Sequence, residues 1–336
     1  MSPGDEIDWV ARSVLEPGSY FEPLWWRFPT DGGEPELLTQ RHGEFDGVGW
    51  LAHLIRERYG VSIHPLPSMP GARPAPPLWR LAVPALHCAR NLWLKPSSAR
   101  WRRFDPAANA LHADGNPLCR GWMLLSAEET RRLGELARAR RGSANALVLW
   151  GVNQALAGST IPGSGPMIWS LPVNMRGCVA LKNPYANHVS GIEVATSPEA
   201  GPTEIHEAIL LAFRREEHWV TWTALNLGRW IGRIGPRVFA WIALRESRRL
   251  TGTFSNLGAW PPAGVLLPNP DRAWCCTSIV RPERPIGVGV LTWQGRLALG
   301  LLAHPSVSTD PADARRWLET SKERIFQQET GARPNG

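Results

Sequence analysis

Arg41-His42-Gly43-Glu44-Phe45-Asp46-Gly47 is the stretch whose reading decides the fold. It sits between an apolar run at 36–41 (ELLTQR) and a helical pattern. In that pattern Val48, Leu51, Leu54, Ile55 and Tyr59 share one face, and Gly60 supplies the stop. His42 therefore ends a strand, where the backbone holds a ring rigidly. Asp46 opens a helix, where a carboxylate meets unpaired amides, and Gly47 allows a tight approach. A His so placed can act as a general base near neutral pH. On the residues alone, a His at a strand end and an Asp at a helix start also suit a purely structural turn.

Working outward, residues 24–28 (LWWRF) and 36–41 read as two strands joined across Asp31-Gly32-Gly33. Residues 64–84 carry seven prolines and read as a crossing loop; residues 98–117 form a polar connection. Ser126 with Glu129 makes a capping box for one helix, and 145–157 is a second helix, apolar nearly all round and hence buried. Strands are expected at 167–174, 188–196, 251–256, 287–293 and 296–302. Residues 203–249 read as mostly helical, broken near Gly232, Gly235 and Pro236, and Asp310 caps a last helix ending near Gln328. Strands and helices alternate without a regular βαβ beat, which favours an α/β (α+β) fold with mixed sheets.

Composition narrows the function. The 336 residues suggest about two domains, and 43% hydrophobic with 20% charged residues excludes a wholly disordered chain. The acidic start MSPGDEIDWV does not read as a secretory signal, and no apolar run reaches about 18 residues, so a cytoplasmic location is expected. Five scattered cysteines without a CxxC pair give neither a disulfide framework nor a zinc site, and no metal is expected. The net charge is +7, but 34 of the 37 basic residues are arginine, spread through the chain. The densest cluster, Arg131, Arg132, Arg138, Arg140 and Arg141, falls on one helix and reads as a solvated face, so no nucleic-acid partner is expected. No GxSxG elbow, P-loop or complete GxGxxG occurs, which argues against a serine hydrolase, an NTPase and a Rossmann enzyme.

The spacing of the 41–47 stretch resembles the HHxxxDG signature of the chloramphenicol-acetyltransferase-like superfamily, which includes condensation domains of nonribosomal peptide synthesis and wax-ester synthase/diacylglycerol acyltransferases. Three further segments, in the same order, are similar to that group. They are 171–177 (LPVNMRG) followed by Ala186-Asn187, the strand 253–258 (TFSNLG), and the closing hairpin PIGVGVLTWQGRLALGLLAHPSVST. The resemblance runs from about residue 23 to 325. Arg41 stands where the family has its first His. Only 41 residues precede His42, far fewer than the family carries, so the first lobe is expected to be shortened: 1–105 forms it and 106–336 the second, with the active site between them.

What the resemblance implies is acyl transfer from a thioester, coenzyme A or a carrier-protein phosphopantetheine, to a hydroxyl or amine acceptor, in natural-product or lipid biosynthesis. Coenzyme A or phosphopantetheine is then a co-substrate, with no bound cofactor. His42 is the implied base, and Ser255 and Asn256 the implied oxyanion donors. Asp46, Gly47, Arg176 and Arg41 support the site, and Asn174, Asn187 and Trp293 are candidates for the substrate channel. A carrier protein, or a partner chain completing the first lobe, is a possible partner. Two other readings stay open. One is a catalytically inactive condensation-like module that binds a carrier protein or small ligand. The other is peripheral membrane contact through the Trp- and Arg-rich stretch 219–250, less favoured than a core helix pair with solvated arginines.

Overall fold

Trp25 and Trp26 point to opposite faces of the first strand, and each face seeds its own part of the core. The computed structural model describes residues 21–40, 42, 44–69, 71–94, 98–102, 111, 115–179, 183–227 and 250–327. Strand β1 (Leu24–Phe28) lies between β2 (Glu36–Thr39) and β7 (Ala273–Cys276), antiparallel to both, in a three-stranded sheet. Helix α1 (Gly47–Tyr59) packs Leu51 and Ile55 against Trp25, Trp260, Trp274 and Trp293.

The larger sheet has six strands in the order β3 (Arg120–Leu124), β9 (Arg296–Ala303), β8 (Ile286–Trp293), β6 (Gly252–Trp260), β4 (Met167–Asn174), β5 (Val189–Thr196). It is mixed: β4/β6 and β6/β8 are parallel and the other neighbours antiparallel. One face carries Phe254, Val288, Val290, Leu299 and Leu301 into a core shared with the helices. Those include α3 (Ala127–Ala139), α4 (Ala144–Ala157), α5 (Pro202–Arg214) and α7 (Pro311–Gln327). The opposite face turns Leu291 and Trp293 toward β1 and α1 and Ala298 and Leu302 toward the other side of the small sheet. Strand β7 crosses that face so closely that a Cβ at Gly289 or Gly300 would lie 2.3 or 2.1 Å from the Cys276 carbonyl oxygen. The glycines of the closing hairpin are therefore what lets the two sheets meet.

Most expected elements are present, including the Ser126–Glu129 capping box, the left-handed Gly60 stop and the Asp310 side chain accepting from the Ala312 amide at 2.9 Å. Three differ from expectation. Residues 64–84 are not loop throughout: a 3-10 turn at Leu78–Leu81 leads into α2 (Ala82–Leu94). Pro84 lies in the first turn of that helix, where its missing N–H costs no intrahelical bond. Strands β3 and β7 were not expected. Half-buried β3 is a sheet edge, and β7 is four wholly buried residues with no alternation to read. The helix α6 (Glu217–Leu227) follows α5, but residues 228–249, with the break near Gly232 to Pro236, lie outside the described residues, as does most of the stretch read for membrane contact.

The three-stranded sheet draws on both sides of residue 105, whereas every strand of the larger sheet follows it. Strand β7 returns to pair with β1, and Ala99 and Arg102 donate backbone amides to the carbonyls of Pro166 and Ser159. Among the described residues no helix is long and apolar enough to cross a membrane.

Candidate active site

Asp46 is the fixed point of the site. As N-cap of α1 it accepts the Gly49 amide at 2.7 Å. Arg176, just past β4, grips the same carboxylate with two parallel bonds, Nη1 to Oδ2 at 2.7 Å and Nη2 to Oδ1 at 3.0 Å. The two side chains are 1% and 3% exposed. The guanidinium has no idle donor: Nε bonds the Pro184 carbonyl, Nη1 also the Asn174 Oδ1, and Nη2 also the Ala186 carbonyl. Oδ2 accepts a further amide from His188 at 2.9 Å. A buried pair is favourable only when its remaining lone pairs and protons are met in this way. Gly49 completes the fit, since a Cβ there would lie 1.9 Å from the Tyr185 carbonyl oxygen.

His42 hangs from this anchor by longer bonds. Its amide donates to Glu22 Oε2 at 3.1 Å, and its carbonyl accepts from Asn187 Nδ2 at 3.4 Å. Its Nδ1 faces Gln40 Nε2 at 3.2 Å. Burial pushes the imidazole pKa down to about 4, with the nearby Arg284 charge adding to the drop and Asp46 partly opposing it. The ring is therefore neutral at pH 7, as a proton acceptor must be.

The third part is the end of β6. Ser255 sits in register with Gly289, on the face of the large sheet that β7 crosses. Beyond a bulge, Leu257 packs so tightly on Gly47 that a Cβ at Gly47 would lie 2.7 Å from it. The His42 loop and the SNLG strand, two hundred residues apart in sequence, are thus in direct contact. Asn256 is exposed and partly engaged: Nδ2 bonds Asn145 Oδ1 with one of its two hydrogens, and Oδ1 accepts the Gly258 amide at 2.7 Å.

The residues named for the channel are placed otherwise. Trp293 is not a channel wall: it is fully buried beside Trp274, and its indole donates to the Asp271 carbonyl at 2.8 Å. Asn174 spends its side chain on Arg176 and the Pro67 carbonyl, and Asn187 spends its own on His42. Both brace the loop. Arg41 lies outside the described residues. Gln40, Gly49, Glu22 and the His188 amide are parts of the site that sequence reasoning missed. None of them carries a sequence signal of its role; Gln40 is merely near His42 in sequence.

Similarity to solved proteins follows from this geometry. The chain superposes on the trichothecene 15-O-acetyltransferase TRI3 from Fusarium sporotrichioides with a TM-score of 0.53 at 14% identity, covering 91% of this chain and 70% of that one. Against polyketide synthase associated protein 5 from Mycobacterium tuberculosis the TM-score is 0.51 at 14% identity, covering 89% and 75%. Against the nonribosomal peptide synthetase FmoA3 it is 0.50 at 16% identity, covering 76% of this chain. The fold is the chloramphenicol-acetyltransferase-like fold of condensation domains. The chain spans only about a quarter (25%) of the synthetase's length. No family model matches the chain, and no curated protein is similar to it in sequence.

Proposed function

We propose that the protein is an acyltransferase that moves an acyl group from a thioester to a hydroxyl or amine, with His42 as the residue that handles the proton. The observation that carries this reading is the convergence of two distant segments on one loop through three contacts: Asp46 with Arg176, Asn187 on the His42 carbonyl, and Leu257 on Gly47. A loop braced so heavily behind a half-buried, neutral imidazole suits a group that must be presented rather than packed. In the reaction, the acceptor oxygen or nitrogen attacks the thioester carbonyl as its proton passes to His42. The tetrahedral intermediate collapses with loss of the thiolate, which takes the proton back. A thiolate leaves readily, so no covalent enzyme intermediate is needed, and the proton transfer contributes about 10²–10⁴-fold. Ser255 is the candidate donor to the oxyanion.

The donor is coenzyme A or a carrier-protein phosphopantetheine, as a co-substrate, and the setting is the cytoplasm. The carrier-protein arm draws support from the fold likeness to a synthetase module. A second reading is a condensation-like module that binds without turnover. It draws support from Arg41, which stands where the resembled family has its first His, and from Asn256, whose amide is held by Asn145 and Gly258 so that a single side-chain hydrogen remains for an oxyanion.

Thermal-shift titration with coenzyme A, acyl-coenzyme A esters and acyl-pantetheine tests the reading without knowledge of the acceptor. A ligand at 100 times its Kd adds about 2.7 kcal/mol of stability. A shift accompanied by thiol release supports transfer, and a shift without release supports the binding module. Neither with any donor, a loaded carrier protein included, removes both readings.

A further inference from the structure

We propose that Gln40 is a positioning residue that selects the tautomer of His42, taking the Nδ1 lone pair as its acceptor and leaving the ring proton on Nε2. The inference rests on the reading of His42 as the group that meets the substrate, and says which of its nitrogens carries the proton beforehand.

The orientation of the Gln40 amide is fixed by two partners that admit no ambiguity. The Trp25 indole N–H can only donate, and it reaches Oε1 at 2.9 Å. The Phe45 carbonyl can only accept, and Nε2 reaches it at 2.9 Å. The second Nε2 hydrogen is left to face His42 Nδ1 at 3.2 Å. Turning the amide over would set oxygen against oxygen at Phe45 and N–H against N–H at Trp25. Gln40 is 2% and Trp25 1% exposed, so water does not stand in for the lost bonds. An Nδ1 that accepts from Gln40 cannot itself carry a proton, so the neutral ring holds its proton on Nε2. The imidazolium, which needs N–H at both positions, is disfavoured by the same contact. Among the described residues, the charged and titratable groups about the ring are Asp46 and Arg284, which act on it through space, and Glu22, which accepts its backbone amide.

This sets an order of events. In the resting site the Nε2 position is a hydrogen-bond donor, suited to a carbonyl oxygen. For Nε2 to accept the acceptor's proton, the ring must first move its own proton from Nε2 to Nδ1, with no net change in charge. That shift requires the Gln40 amide to turn and to release Trp25 and Phe45. Gln40 thereby acts through His42, without touching the reacting atoms.

Two-bond ¹H–¹⁵N correlation on the full chain labelled at histidine reads the tautomer directly, the His42 signals being identified by their loss in His42→Ala. Wild type is expected to show the proton on Nε2 and an unprotonated Nδ1 at pH 7. Gln40→Glu places a carboxylate against Nδ1, so the proton is expected to move to Nδ1 and the His42 titration midpoint to rise by at least one pH unit. A wild-type ring protonated at Nδ1 overturns the proposal, as does a folded Gln40→Glu with an unchanged tautomer. If Gln40→Glu does not fold, the wild-type spectrum decides alone. The readout needs no substrate. A wild type protonated on Nε2 but inert to every thioester therefore supports the Gln40 role while removing acyl transfer, and an active wild type protonated on Nδ1 does the reverse.

Discussion

The two ends of one short loop are held differently. At Asp46 the carboxylate accepts four bonds of 2.7–3.0 Å, and its partner Arg176 uses every donor it has. At His42, only a few residues away, the contacts are 3.1–3.4 Å and, among the described residues, the side chain has one hydrogen-bond partner on one nitrogen. The first end is built for rigidity. The second is held by fewer and longer bonds, and it carries the ring proposed to take the proton. On that reading stability and chemistry are separated along the loop, and the separation can be attacked from either end.

The largest effect is expected at the anchor. Asp46→Ala leaves the Arg176 guanidinium buried without its countercharge, which costs about 3–5 kcal/mol. Urea unfolding should show that loss, and Arg176→Ala should not add its full effect to it in a double-mutant cycle. Gly49→Ala attacks the same end by steric means. Its Cβ would lie 1.9 Å from a backbone oxygen, so α1 must shift away from residues 184–188 at a cost of about 1–3 kcal/mol, readable as a lower urea midpoint with an unchanged slope. At the other end, Asn187→Ala removes two long bonds, to the His42 carbonyl and from the Val189 amide, and should cost about 1–2 kcal/mol, while reducing turnover through misplacement of the ring. His42→Ala keeps the backbone amide and carbonyl that Glu22 and Asn187 use. Its stability is expected to stay within about 1 kcal/mol of wild type.

A pH titration sharpens the contrast. Burial holds His42 and His304 at about 4, against an ordinary 6.5. As pH falls below 6.5 the unfolded chain takes up these protons, and the folded chain does not until about pH 4. Stability is therefore lost across that window as the solution is acidified. Stability measured between pH 7 and 4 should fall less steeply for His42→Ala than for wild type. An identical slope would place the His42 pKa near its ordinary value.

The sequence made the Asp46 end readable and the His42 end only partly so. Asp46 before an amphipathic run, and Arg176 in a segment resembling the family's, are local patterns, and the resemblance already implied that both support the site; the structure joins them in one ion pair. The hairpin glycines were visible as residues, but their purpose was not, because it depends on β7, a four-residue strand with no periodicity. Trp293 failed for the opposite reason: an aromatic residue near a recognised motif was read as a wall when it fills the core. Gln40 was missed because its role depends on Trp25, fifteen residues away on the neighbouring strand, and hydrogen-bond relays of that kind leave no trace in spacing. Helix α2 was hidden by a proline-rich stretch of which only Pro84 falls inside the helix, in the first turn, where a proline is permitted.

The central claim is that this loop presents His42 to a thioester. Its most direct test compares thiol release by wild type and His42→Ala across acyl-coenzyme A, acyl-pantetheine and loaded carrier-protein donors with a panel of hydroxyl and amine acceptors, at matched thermal stability. Acceptor-dependent release by wild type, reduced about 10²–10⁴-fold in His42→Ala, is the predicted result. Equal rates for the two proteins, or no release by wild type with any donor, would contradict it.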